Sequence, residues 1–89
     1  MADKRMISRL ITQKASFLRM PGTAQALYMH LCLAADDEGI AEAFAVIGMI
    51  RGKEEDLEIL NKAGFIQILD NENLVVYITG WNSINNPEE

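Results

Sequence analysis

An 89-residue chain of 9.9 kDa has room for a single hydrophobic core, since domains of this size bury only about 60–65% of the surface their unfolded chains expose. With 49% hydrophobic and 24% charged residues the composition is that of a folded domain and not of a disordered segment. No apolar run approaches the ~18–20 residues of a membrane span, and a net charge of −5 with a pI near 4.7 excludes strong sequence-independent attraction to nucleic-acid phosphates.

The start of the chain is basic, and residues 1–12 read as an arm. Thr12 to Met20 predicts a short helix with Phe17 and Leu18 toward a core, stopped by Pro21-Gly22. From Thr23, a good N-cap, the positions Ala24, Leu27, Tyr28, Leu31, Cys32 and Ala35 follow the spacing of an amphipathic helix. That helix ends at Asp36-Asp37-Glu38-Gly39, where carboxylates can bond turn backbone and glycine accepts positive φ. Ile40-Ala41 is a short extended piece. Ala43 to Ile50 predicts a helix apolar almost all round, through Phe44, Val46, Ile47, Met49 and Ile50. Gly52-Lys53 punctuates, Glu54-Glu55-Asp56 opens a helix that runs to Ala63, and Gly64 is its C′ residue. Leu57, Leu60 and the aliphatic part of Lys62 or Ala63 are expected toward the core. Phe65 to Leu69 and Leu74 to Thr79 flank the polar connection Asp70-Asn71-Glu72-Asn73 as a hairpin, and residues 82–89 read as a flexible tail.

Helix, turn, short strand, helix, turn, helix and hairpin is the order of a winged helix-turn-helix, an α+β fold with three main helices, a short extra N-terminal helix and a C-terminal hairpin wing. Residues 1–89 are expected to form one such domain. A helical bundle is the rival, but Val75-Val76-Tyr77-Ile78 disfavours a final helix.

Constellations for catalysis are absent from the sequence. His30 is the only histidine and Cys32 the only cysteine, two residues apart on different helical faces, so no two-histidine metal site and no internal disulfide can form. Between Leu31 and Leu33, Cys32 reads as a small apolar side chain, which fits a reducing cytoplasm. No phosphate loop, dinucleotide fingerprint or nucleophile elbow occurs. Asp36-Asp37-Glu38 lacks the alternating ligands of a calcium loop, so no catalysis, metal or cofactor is expected.

Charge is divided unevenly. Residues 1–20 carry Lys4, Arg5, Arg9, Lys14 and Arg19 against Asp3 alone, while the remaining 69 carry Arg51, Lys53 and Lys62 against twelve acids. Any anion-binding surface is therefore local. The third main helix, which in this fold enters the DNA major groove, turns Glu55, Glu58, Asn61 and Lys62 outward, and its carboxylates oppose phosphates. The DNA-contact candidates are Lys4, Arg5, Arg9, Arg51, Lys53, Asn61 and Lys62, with Asn71 and Asn73 in the wing. Binding to DNA is expected to be weak and salt-sensitive. One core cannot cover every side of the 43–50 helix, so Phe44, Val46, Ile47 and Met49 are the candidate surface of a homo-oligomer, most economically a dimer.

KRMIS at 4–8, FLRMP at 17–21, AQALYMHL at 24–31, ADDEG at 35–39, the LxxLxxxGFI spacing from Leu57 to Ile66, and Trp81 followed by Asn85-Asn86 together resemble the N-terminal domain of phage and prophage replisome organisers, which are DnaD-like replication initiation proteins. The resemblance covers about residues 4–86, and its most specific part is the central AQALYMHL to ADDEG block. It implies a non-enzymatic winged helix that helps assemble a replisome through DNA contact, self-association or both, alongside other replication proteins. Two departures stand out. The 43–50 helix is apolar where relatives are more polar and partly basic, and the chain stops at Pro87-Glu88-Glu89 where relatives continue through a basic segment. A protein-interaction module with little DNA affinity and a small transcriptional regulator are the alternatives.

Overall fold

The computed structural model describes residue 7 and residues 9–82. The fold is α+β, with α1 (Arg9–Thr12), α2 (Ala15–Leu18), α3 (Gly22–Ala34), β1 (Ile40–Glu42), α4 (Ala43–Ile50), α5 (Glu54–Ala63), β2 (Ile66–Asp70) and β3 (Val75–Ile78). The strands make one antiparallel sheet in the order β1-β3-β2, an arrangement compatible with a winged helix. Among the described residues no helix is long and apolar enough to cross a membrane.

The helix expected over 12–20 is reduced to the four residues of α2, and residues 9–12 of the basic arm form a separate short helix, α1, before it. Lys14 takes extended backbone (φ −69°, ψ 142°) between them, and this turn brings Phe17 and Met20 into the core while leaving Leu18 exposed rather than inward. The expected tail begins at Asn82, and its residues 83–89 lie outside the described residues. The start of α3 also differs from expectation. Pro21 is its N-cap, its carbonyl accepting from Ala24 N and Gln25 N, and the Gln25 amide reaches back to the carbonyls of Leu18 and Met20. Thr23, freed from capping, donates its hydroxyl to Asp56 Oδ1 at 3.0 Å.

The apolar stripe of α3 is buried as its spacing requires, with Ala24, Leu27, Tyr28, Leu31 and Cys32 facing α4, α5 and β1. Phe17, Tyr28 and Phe65 meet edge-to-face with centroids 5.5–5.9 Å apart, each contact adding about 0.5–1.5 kcal/mol beyond area burial. Leu57, Leu60, Ile66, Val76 and Ile78 complete this centre. Lys62 and Ala63 are exposed and contribute nothing to it, since they fall outside the face of α5 that buries Leu57 and Leu60.

β3 is the middle strand. Ile40 to Glu42 pair with Tyr77 to Val75 on one side, and Ile66 to Asp70 pair with Ile78 to Val75 on the other, with an irregularity between Ile68 and Asp70. Leu74, just before β3, has left-handed backbone (φ 55°). Burial of its side chain holds it there, and its carbonyl accepts from Ala43 N at 2.8 Å. On the far side of β1, Asp36 N donates to Ile40 O and Asp36 Oδ1 accepts from Ile40 N and Glu38 N.

Trp81 closes the corner between α3 and β1. Its indole is 1% exposed, its Nε1 donates to Asp37 O at 3.0 Å, and it lies on Gly39, where a Cβ would stand 2.5 Å from Trp81 Cγ. Gly39 also has φ +83°. Gly39→Ala is therefore expected to cost about 2–5 kcal/mol, combining left-handed strain with overpacking. Gly80→Ala, at φ +74° but with open space around it, is expected to cost only the ~1–2 kcal/mol of strain. Equal losses for the two in urea denaturation would refute the packing role of Gly39.

Burial pushes the Cys32 thiol up to about 11 from 9.0, with the neighbouring Tyr28 hydroxyl pulling the other way. Near pH 8 the folded protein is expected to resist iodoacetamide and to react once denatured. The raised value means that the unfolded thiol ionises first, so stability should decline as pH rises from about 9 to about 11. Rapid native alkylation at pH 8 would contradict this.

Candidate nucleic-acid interface

The turn between α4 and α5 gathers two of the expected cations. Arg51 ends α4 with left-handed backbone (φ 57°, ψ 39°), its N–H donating to Gly48 O at 3.3 Å, while Gly52 N donates to Ile47 O at 2.8 Å. α5 ends in the same way, but there the left-handed residue is Gly64 (φ 87°), with Gly64 N to Asn61 O and Phe65 N to Leu60 O. Glycine takes this conformation freely, whereas arginine there costs about 1–2 kcal/mol. The arginine stands there against local preference. Its side chain is exposed, as are those of Lys53, the N-cap of α5, and Lys62 in its last turn. Among the described residues none of these three cations has a carboxylate partner.

The outer face of α5 carries Glu54, Glu55, Glu58, Asn61 and Lys62, all exposed. Asn61 and Asn71 come together, with Glu58, Ile68 and Leu69, along a shallow groove between α5 and β2. Asn73 does not join them. It lies on the other side of the hairpin turn beside Glu42, Phe44 and Glu72, and its amide is used within the turn, donating to Asp70 Oδ2 at 2.9 Å. The Asn73 side chain and backbone, with Glu72 N, hold the Asp70 carboxyl below its ordinary range. Arg9 is exposed on α1, an element packed on α2, and Lys4 and Arg5 lie outside the described residues.

Of the four residues expected on an oligomer surface, Phe44 and Met49 are 68% and 66% exposed. Val46 and Ile47 are not available: they are buried in the core, on the side of α4 that faces α3. An all-apolar helix cannot declare from its sequence which side packs inward.

Comparison with protein-family models, curated proteins and solved structures returned no match. The site therefore stands on its own geometry. His30 is half-buried on α3, with Cys32 buried two residues on, and among the described residues no group of three or more His, Cys, Asp or Glu could hold a metal ion. Asp36 spends its carboxylate on the α3–β1 turn.

From sequence Asp56 reads only as one of three acids at a helix start. It is instead 4% exposed, with Oδ1 accepting from Thr23 and Oδ2 without a partner among the described residues. No local signal reveals this, since its partner is 33 residues away. The carboxylate ties the beginnings of α3 and α5 together, where both helix dipoles favour negative charge. Thr23→Val, which keeps shape and removes the donor, is expected to lower stability by about 1–3 kcal/mol. A urea midpoint unchanged from the parent would show that the bond contributes nothing.

Proposed function

We propose that this chain is a winged-helix module that attaches to duplex DNA through phosphate contacts, without catalysis, in the replication machinery of a phage or prophage. The replication setting, the cytoplasmic location and the companionship of other replication proteins come from the resemblance to replisome organisers. Support for the fold assignment is the succession α4, turn, α5 and hairpin, with β1 joining the hairpin as a third strand. The observation that carries the DNA reading is Arg51, exposed beside Lys53 and held in a conformation that glycine would adopt at less cost. Strain kept at an exposed cation points to a function for the cation.

Contacts of this kind position a duplex and do not read it. The carboxylates of Glu54, Glu55 and Glu58 on the outer face of α5 oppose close approach of phosphates to that helix. Weak binding led by the turn cations and Lys62 follows, with Arg9, Lys4 and Arg5 as further candidates.

A second reading, a protein-interaction module with little DNA affinity, is favoured by the exposure of Phe44 and Met49 on one helix. Fluorescence anisotropy with duplex DNA separates the two. The DNA reading expects affinity to fall with salt at a log–log slope of about −3 or steeper, from −0.9 per phosphate neutralised. Lys53→Ala and Arg51→Gly should each make the slope shallower by about 0.9, and Arg51→Gly should at the same time stabilise the fold by about 0.5–1 kcal/mol. Absence of salt-sensitive binding at ~100 µM protein overturns the DNA reading, and preference for one duplex over bulk DNA would indicate a transcriptional regulator.

A further inference from the structure

α4 is eight residues long, about 12 Å at 1.5 Å per residue, and its two sides differ in fate. Ala43, Val46 and Ile47 are buried, while Phe44, Ala45, Gly48 and Met49 are exposed. The exposed set, spaced i, i+1, i+4 and i+5, forms one continuous helix face without a polar side chain. Gly48 is a notch in it, since a Cβ built there would meet nothing within 4 Å. The two ends of the face carry opposite charge. Glu42 is the N-cap, and Glu72 from the hairpin turn lines the same groove as Phe44 and Ala45. At the other end stand Arg51 and, two residues on, Lys53, both exposed.

We propose that this face is the contact of a two-fold symmetric dimer in which α4 of one copy lies antiparallel on α4 of the other. Turned end for end, the face is complementary to itself. Phe44 meets the second copy's Met49, a favourable aromatic–thioether contact. Ala45 meets Gly48, so that two small residues at the crossing allow the backbones to approach closely. Glu42 meets Arg51, with Glu72 and Lys53 close behind. Symmetry repeats each contact, which is the isologous pattern of cyclic dimers, and the antiparallel helix dipoles are matched.

Charge selects the occupant. An anionic lipid surface or a nucleic acid would meet Glu42 and Glu72 at the edge of the apolar face, whereas a second copy presents a cation to them. A parallel arrangement would set like charges together at both ends. One two-turn helix face covers less than the ~800 Å² per partner of a standard stable interface, so the dimer is weak and concentration-dependent. It does not rest on the DNA reading.

Sedimentation equilibrium of the full chain from about 10 µM to about 1 mM tests it, a range suited to an interface below standard size. The parent is expected to pass from monomer toward dimer. Glu42→Arg and Arg51→Glu should each weaken association at least about tenfold, and the two combined should restore it to within about threefold, because the swapped pair is again complementary. Phe44→Ser removes the aromatic contact from a position that is 68% exposed; it should leave the thermal unfolding midpoint unchanged while abolishing dimer formation. This variant decides the matter if a charge reversal fails to fold. A parent that remains monomeric to about 1 mM, a Phe44→Ser variant that dimerises normally, or a double reversal no better than the single ones overturns the dimer. Any of these outcomes leaves salt-dependent DNA binding to be judged separately.

Discussion

Everything in the arrangement of α4 and α5 depends on β3 being the middle strand. β1 runs directly into α4, with Glu42 serving as last strand residue and helix N-cap, and the Leu74 carbonyl before β3 receives the first N–H of α4. On the other side β2 follows α5 through Gly64 and the buried Phe65. Pairing β3 with both strands therefore fixes the approach of both helices at once. The β1–β3 pairs join residues more than thirty positions apart, such as Ile40 and Tyr77, so this ordering comes at the loop-closure cost of a long intervening segment.

α3 supplies the apolar surface against which this frame is pressed, and the acids are disposed around it without crowding its centre. The acids that are buried or turn-bound have defined backbone or hydroxyl donors: Asp56 the Thr23 hydroxyl, Asp36 the α3–β1 turn, Asp70 the hairpin turn. Among the described residues the remaining carboxylates, Asp37, Glu38, Glu42, Glu54, Glu55, Glu58 and Glu72, stand at exposed positions of β1, α5 and the loops. An acidic average thus coexists with a small basic group at the α4–α5 junction that has no carboxylate partner among the described residues, and the average says little about what that junction can hold.

Where local chemistry decides structure, the sequence was legible. The acids of Glu54-Glu55-Asp56 and the placement of Gly64 gave the limits of α5, the apolar spacing gave the inner face of α3, and the β-branched run at 75–78 gave β3. Legibility failed where distant partners decide. Thr23 reads as a cap but is claimed by Asp56, 33 residues on and beyond the reach of any local signal, whereas Asn73 reads as a wing contact but serves Asp70, only three residues back in the same turn. The uniformly apolar α4 gave no clue that Val46 and Ile47 face inward while Phe44 and Met49 do not. The candidate basic junction was identified as residues, but its left-handed arginine was not, since sequence preference would have set glycine there.

The bonds between Asp36 and Ile40 have an effect beyond closing a turn. They occupy the outward backbone groups of Ile40 on β1, and Glu42, the next outward residue, passes straight into a helix. A foreign strand consequently finds no template on that border, and the ribbon can lengthen sideways only past β2, where the irregularity at Leu69 breaks the register such growth would need. Fibrous stacking is thereby discouraged on both borders of a sheet only three strands wide.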